Sequence, residues 1–247
     1  MKKHLGLITA AAVLAFVAGP ATSAGSLTET QKKEVEAVIQ DYILKNPEII
    51  SKAIDALQAR QREAEEKASK AALIANRSQL FKDATSPVSG NPNGDITVIE
   101  FFDYRCGVCK RVHPIVARLI KDDPNIRRVY KEWPILGPDS VLAARAALAS
   151  RKQGKYFAFH NAMMEARARL NRAAIMTIAK RVGLDTTQLT RDMEDPEING
   201  ILQRNYALAE ALKLNGTPSF VIEDTLLKGG RDLPTMRKLV ADARAKK

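Results

Sequence analysis

This chain of 247 residues has few aromatic residues, two cysteines, three histidines and, beyond its first segment, no long hydrophobic run. With 5% aromatic residues, the core must be largely aliphatic. Without a long apolar run after residue 24, the rest of the chain is not expected to cross a membrane. The net charge of +11 comes with no basic run interleaved with aromatics, which disfavours nucleic-acid binding and leaves a solvated basic surface.

The first segment has the three-part pattern of a secretory signal. Lys2 and Lys3 precede an apolar run over residues 5–18, and Gly19-Pro20 and the small residues 21–24 follow. A membrane anchor is the alternative, but the run is shorter than the roughly 20 residues that span a bilayer. We therefore expect residues 1–24 to be a cleaved signal peptide and the protein to be exported.

The next segment, residues 25–83, has a helical pattern. Thr28 or Thr30 can cap a first helix, and Asn46-Pro47 interrupts it. From residue 48 to 81, apolar residues and alanines recur in alternating steps of four and three, which is a heptad pattern. Such a narrow stripe either packs on its own domain or pairs with copies of itself. Its charged flanks favour self-association, so we predict a coiled-coil-like oligomerisation arm over residues 25–83.

Residues 84–247 show the pattern of an α/β domain. After a segment rich in proline and glycine, a β-branched and aromatic run over 96–102 predicts a buried strand, and the cysteines begin the next helix. Residues 125–133 predict a second strand, parallel to the first. Helical patterns fill an insertion at about 138–215. The chain ends with a strand at 219–222, a possible hairpin partner at 225–227 and a helix from 233 to 243.

The two cysteines, Cys106 and Cys109, are three residues apart, directly after the first strand. A helix N-terminus stabilises an anion there, which lowers the pKa of the Cys106 thiol. Cys106 is then the exposed nucleophile, and Cys109 is the buried thiol that resolves a mixed disulfide. A structural disulfide closing so small a loop would stabilise little. A zinc site needs four ligands, and only His113 and His160 can join the cysteines, so redox chemistry is favoured without excluding metal.

Four motifs resemble the DsbA-like members of the thioredoxin superfamily. They are Glu100-Phe-Phe-Asp-Tyr-Arg-Cys-Gly-Val-Cys-Lys110; Pro114 in the following helix; Trp133-Pro-Ile-Leu-Gly-Pro-Asp-Ser140; and Gly216-Thr-Pro-Ser-Phe220. The resemblance covers residues 96–247 and implies a thioredoxin fold with a helical insertion.

The resemblance also implies roles for individual residues. Pro218 corresponds to a cis proline beside the cysteines, with the Thr217 backbone free to pair with an extended substrate; an ordinary trans proline is the alternative. Glu100 matches a buried acid that can shuttle the proton of the resolving thiol, unless it is a strand residue facing solvent. Lys131 is a candidate partner for Glu100.

Three features favour a disulfide isomerase or reductase over a thiol oxidase. The Gly107-Val108 dipeptide offers no imidazolium beside Cys106, so the disulfide is expected to be less oxidising. Thr217 before the proline resembles isomerase-type members. The N-terminal arm resembles that of the exported, trimeric ScsC-like proteins, which are linked to copper tolerance.

The resemblance implies a periplasmic enzyme without a cofactor, acting on exported proteins that carry disulfides or thiols. It implies a membrane redox partner and a homo-oligomer, either trimer or dimer. Cu(I) binding by Cys106 and Cys109 is an alternative function, because thiolates suit Cu(I). A non-catalytic scaffold with an inert disulfide is a third hypothesis.

Overall fold

The computed structural model describes residues 27–247, so the predicted signal peptide lies outside the described residues. The chain divides into two compact units, with the division between Arg60 and Gln61. None of the helices over residues 27–247 combines the length and the apolar character that a bilayer crossing requires.

The first unit is helical. Helix α1 (Glu29–Lys45) begins at Thr28, which forms the predicted cap: its side chain accepts from the Gln31 N–H, and the Gln31 side chain accepts from the Thr28 N–H. Helix α2 (Glu48–Ala75) starts after the predicted break at Asn46-Pro47. Large apolar side chains are exposed on both helices within this unit: Val35, Val38, Ile39, Tyr42, Leu44, Ile50, Ile54 and Leu57.

The second unit is built on a five-stranded sheet. Its strands are β1 (Val88–Gly90), β2 (Ile96–Phe102), β3 (Ile126–Glu132), β4 (Ser219–Ile222) and β5 (Thr225–Lys228), in the spatial order β1-β3-β2-β4-β5. The predicted parallel pair is β2 and β3, and the other neighbours are antiparallel. Every residue of this central strand is buried, and five of its seven side chains are apolar.

Helices cover both faces of the sheet. A short helix α3 (Arg77–Phe81) precedes β1, and α4 (Gly107–Asp122) joins β2 to β3. The predicted insertion contains five α-helices and a short 3-10 helix (Ser150–Gln153), and a C-terminal helix follows β5. The α-helices are α5 (Pro138–Ala149), α6 (Tyr156–Glu165), α7 (Arg172–Arg181), α8 (Thr186–Asp192), α9 (Pro196–Ala211) and α10 (Leu233–Ala245). Val116 of α4 and Met236 of α10 pack with Val98 on one face, and Leu80 of α3 packs with Ile99 on the other.

The structure differs from the sequence prediction in the region before the sheet. The helix predicted to reach Phe81 ends at Ala75, where the Asn76 side chain donates to the Ala72 carbonyl, and α3 follows. Leu73 and Leu80 are buried against the sheet. Both leucines therefore lie in the second compact unit, Gln61–Lys247.

Strand β1 and helix α8 were not predicted as separate elements. Strand β1 lies in the segment rich in proline and glycine, and it is only three residues long. Helix α8 buries one apolar side chain, Leu189, so its pattern is too short to show a period. Its start is set by Asp185, whose carboxylate accepts from two backbone N–H groups.

Candidate active site

The cysteines lie where β2 ends and α4 begins. Cys106 is the N-cap of α4, and its sulfur accepts a hydrogen bond from the Cys109 N–H at 3.3 Å. Both residues are free thiols. Cys109 is fully buried. Cys106 was predicted to be exposed but is buried, and at 7% exposure it presents only an edge of its side chain to solvent.

The two thiols differ sharply in acidity. A hydrogen bond from the Cys109 thiol is the largest cause that lowers the pKa of Cys106 from 9.0 to about 5, with further hydrogen bonds from the Thr217 side chain and two backbone N–H groups. Burial raises the pKa of Cys109, and its hydrogen bond to Cys106 adds to that effect. At neutral pH the site therefore holds one thiolate, at Cys106, and one thiol.

The Thr217–Pro218 peptide bond is cis, as the motif predicted. The segment lies directly before β4, and the Thr217 carbonyl is 3.2 Å from the Cys106 sulfur. Gly230, on the loop after β5, lies close to α4 and to Pro218. A Cβ added at Gly230 would be 2.5 Å from the Val112 side chain of α4, so a larger residue there would require a shift. The fold thus brings Cys106, Thr217 and Pro218 together from segments more than 100 residues apart in sequence.

Asp103 is a site residue that the sequence analysis missed as a separate functional group. Its buried carboxylate accepts from the backbone N–H groups of Arg105, Ile135 and Leu136 and from the Ser140 hydroxyl, at 2.7–3.0 Å. It thereby ties the turn before Cys106 to the start of α5. The only available signal was its place in the motif between β2 and the cysteines.

Glu100 is buried, as the resemblance implied, but its predicted partner was wrong. The Glu100 carboxylate pairs with Arg128 at 2.6 Å, and both side chains are almost fully enclosed. Lys131 instead pairs with Asp83 at 2.8 Å. Glu100 and Lys131 lie on opposite faces of the sheet because Glu100 is opposite Tyr130 in the β2–β3 register.

A second polar cluster, formed by Tyr104, Glu132, Tyr156 and His160, lies in the core and had no signal in the sequence. Both tyrosine hydroxyls donate to one Glu132 oxygen, at 2.9 and 2.8 Å, and the Tyr104 hydroxyl is 2.9 Å from Nδ1 of His160. Burial raises the pKa of Glu132 to about 8 and lowers the pKa of His160 well below 6.5. These groups are therefore largely uncharged at neutral pH.

Metal ligands are sparse around the cysteines. Across residues 27–247, no three His, Cys, Asp or Glu side chains come together in a geometry that could hold a metal ion. His113 is buried one turn after Cys109, and its ring lies 5.3 Å from that of His160. Two-coordinate binding by the cysteines alone is the remaining arrangement for a soft ion.

Two family models match the chain. A model described as "DSBA-like thioredoxin domain" matches residues 97–241, which include both cysteines and the cis proline. A second, described as "Copper resistance protein ScsC N-terminal domain", matches residues 31–64.

Solved structures and curated relatives are similar over different parts of the chain. A thioredoxin-like oxidoreductase from Silicibacter pomeroyi is 52% identical and covers 69% of this chain and 98% of its own, with a TM-score of 0.68. A linker-deletion variant of Proteus mirabilis ScsC is 29% identical and covers 91% and 100%, with a TM-score of 0.70. The Na⁺/H⁺ antiporter NhaA 3 of Salinispora tropica is 26% identical over 63% of this chain, but the chain spans only 24% of that relative's length.

Proposed function

The chain belongs to the DSBA-like thioredoxin domain family, and from that membership we propose that it is an exported protein thiol–disulfide oxidoreductase acting through Cys106 and Cys109. The observation that carries the proposal is the neighbouring pair of thiols with opposite pKa shifts, beside a cis-proline segment. Cys106 is the catalytic nucleophile, Cys109 the resolving thiol, and Gly107 and Val108 the dipeptide between them.

The reaction begins when the Cys106 thiolate attacks one sulfur of a client disulfide. A bond forms between Cys106 and that sulfur, and the other client sulfur leaves as a thiolate. The client chain is extended beside Thr217, which offers its backbone for pairing, with Pro218 shaping the contact. The Cys106 thiolate exists at neutral pH because hydrogen bonds already stabilise it.

The mixed disulfide has two fates. If Cys109 loses its proton and attacks Cys106, the client is released reduced by two electrons and the enzyme keeps the disulfide. Glu100 is proposed to accept that proton. If the client's own thiolate attacks instead, the client rearranges its disulfides and the enzyme returns as the dithiol. The high pKa of Cys109 slows the first route, which supports isomerisation.

The Gly107-Val108 dipeptide and the arm also support the isomerase direction. A side chain that could become an imidazolium is absent between the cysteines, so the disulfide is a weaker oxidant. The match of residues 31–64 to the ScsC N-terminal family and the exposed apolar side chains of α1 support a homo-oligomer, either trimer or dimer. Several active sites in one assembly would hold a misfolded client by multivalency.

We place this activity in the periplasm, after cleavage of residues 1–24. A membrane redox partner there would return the Cys106–Cys109 disulfide to the dithiol that isomerisation requires. Clients are exported proteins that carry disulfides or thiols.

Reactivation of a scrambled-disulfide protein by residues 25–247 tests the proposal, with Cys106→Ser as the matched control. We expect activity to return with the wild type and not with the variant. Rapid oxidation of a reduced client without reactivation would identify a thiol oxidase instead. Slow reaction of Cys106 with a thiol probe at neutral pH would refute both enzyme functions and leave a scaffold.

Cu(I) binding by the same cysteines is the second candidate, favoured by the copper-resistance family that matches the arm. Two thiolates suit Cu(I), but the raised pKa of Cys109 opposes its ionisation. Titration of the reduced chain with Cu(I) against a strong chelator tests this, with Cys109→Ser as control. Failure to compete removes the metal function and leaves the redox function intact.

A further inference from the structure

A groove of about 960 Å³ lies along α4, on the side where that helix faces the end of α6. One wall is α4 from Lys110 to Lys121, and the other is the segment Met164–Arg167. The eleven helical steps from Lys110 to Lys121 span about 16 Å, which is the length of roughly five residues of extended chain. The groove begins one residue after Cys109, so a client bonded to Cys106 reaches it within a few residues.

The groove is strongly basic. Its lining includes five basic side chains and one acidic side chain, Glu165: the basic ones are Lys110, Arg111, Arg118, Lys121 and Arg167. Lys110 is used internally, because its ammonium donates to the carbonyls of Met163, Met164 and Ala166 and so joins the two walls. Arg118 is paired with Asp122.

The other three cations form no salt bridge within the described chain. Arg111, Lys121 and Arg167 are exposed at the groove, and each remains available to an external anion. Pro114, Ala117 and Met164 give the groove an apolar lining between them. A segment with carboxylates at its edges and small or apolar side chains between them matches this pattern.

We propose that this groove binds an acidic, extended segment of the client or partner protein whose cysteine reacts at Cys106. The proposal rests on the proposed thiol–disulfide exchange, for which it supplies a specificity surface. A peptide is favoured over an anionic lipid surface because the cations line a concave groove of peptide length. The positive field attracts acidic segments to the site and raises the rate of productive encounter.

Binding is tested first without redox chemistry. A labelled, cysteine-free peptide of alternating Glu and Ala is added to residues 25–247, with a Gln and Ala peptide as the neutral control. We expect the acidic peptide alone to raise the fluorescence anisotropy, and binding to weaken as salt shortens the Debye length. The triple variant R111Q/K121Q/R167Q is expected to lose this binding. The variant K180Q/R181Q/R191Q removes the same charge from α7 and α8 and is expected to keep it.

Exchange is then measured with the same two peptides, each carrying one cysteine in a disulfide with a small thiol. At low salt we expect the acidic peptide to react with Cys106 of the wild type about tenfold faster than the neutral peptide does. In the variant R111Q/K121Q/R167Q we expect the two peptides to react at equal rates. An equal loss of acidic-peptide binding in both triple variants would refute the proposed peptide site. Binding to phosphatidylglycerol vesicles, with no discrimination between the two peptides, would also refute it. Binding of the acidic peptide, measured by anisotropy, without any reaction at Cys106 would support the proposed peptide site and refute the proposed enzyme function.

Discussion

At the scale of single residues, one hydrogen bond is the largest cause of the low pKa of Cys106. Replacing Cys109 with Ala removes the donor that contributes most to the low pKa of Cys106. In the wild type we expect the alkylation rate of Cys106 to be half-maximal near pH 5. In Cys109→Ala we expect this midpoint to lie roughly one pH unit or more higher. Cys109→Ser retains a hydrogen-bond donor, so its alkylation midpoint is expected to lie between those of the wild type and Cys109→Ala. Coincident midpoints in all three proteins would show that the backbone N–H groups dominate.

Glu100 either accepts the proton of Cys109 or only stabilises the fold. Substitutions of Glu100 and of its partner Arg128 distinguish these two roles. Glu100→Gln leaves Arg128 charged and buried without its partner, and we expect a loss of about 3–5 kcal/mol in the free energy of unfolding. It is also expected to slow the resolution of a trapped mixed disulfide. The double variant Glu100→Gln/Arg128→Gln removes the lone charge and is expected to regain stability but not rate. Recovery of the rate as well would make Glu100 a structural residue only.

The sequence identified the residues whose chemistry is carried by short motifs. Cys106, Cys109 and the cis Pro218 come from contiguous patterns, and the structure has the cysteines at the start of a helix and the cis bond where they were expected. The partner of Glu100 depended on the register of two strands 24 residues apart. A shift of one residue turns a side chain to the opposite face, so Lys131 and Arg128 were not distinguishable beforehand.

At the scale of elements, Asp103 connects the end of β2 to the start of α5. Asp103→Ala leaves three backbone N–H groups and the Ser140 hydroxyl without their acceptor, and we expect a loss of about 3 kcal/mol in the free energy of unfolding. Asp139→Ala is the control, because its partner Arg169 is largely exposed and the pair is expected to contribute less than about 1 kcal/mol. Denaturant unfolding measures both. Equal losses would contradict the role assigned to Asp103.

Elements with a clear local pattern were predicted to within a few residues, including the short strands β4 and β5, whereas the end of α2 and strand β1 were not. Strand β2 and helices α4 and α10 have clear apolar periods and were found where expected. The break at Asn76 depends on one side-chain hydrogen bond, and β1 depends on pairing with β3 across 35 intervening residues. Neither kind of information is carried by a local pattern.

At the scale of the whole molecule, the burial of Leu73 and Leu80 determines where the chain can be cut. We expect residues 61–247 to be soluble and monomeric by light scattering, to reduce insulin as fast as the full chain, and to reactivate scrambled protein poorly. Residues 84–247 lack both leucines, whose removal from a core costs about 2–5 kcal/mol each, and are expected to unfold at lower denaturant. A 61–247 chain that remains oligomeric would contradict the role of the arm.

The unequal thiols also fix how the redox couple responds to acidity. From about pH 5 up to the raised pKa of Cys109, the reduced site carries a single proton, so oxidation releases two electrons and only that proton. The midpoint potential of such a couple falls by about 30 mV for each pH unit, half the slope of a dithiol that releases two protons. In a compartment whose pH follows the surroundings of the cell, the midpoint potential of this couple would drift half as far.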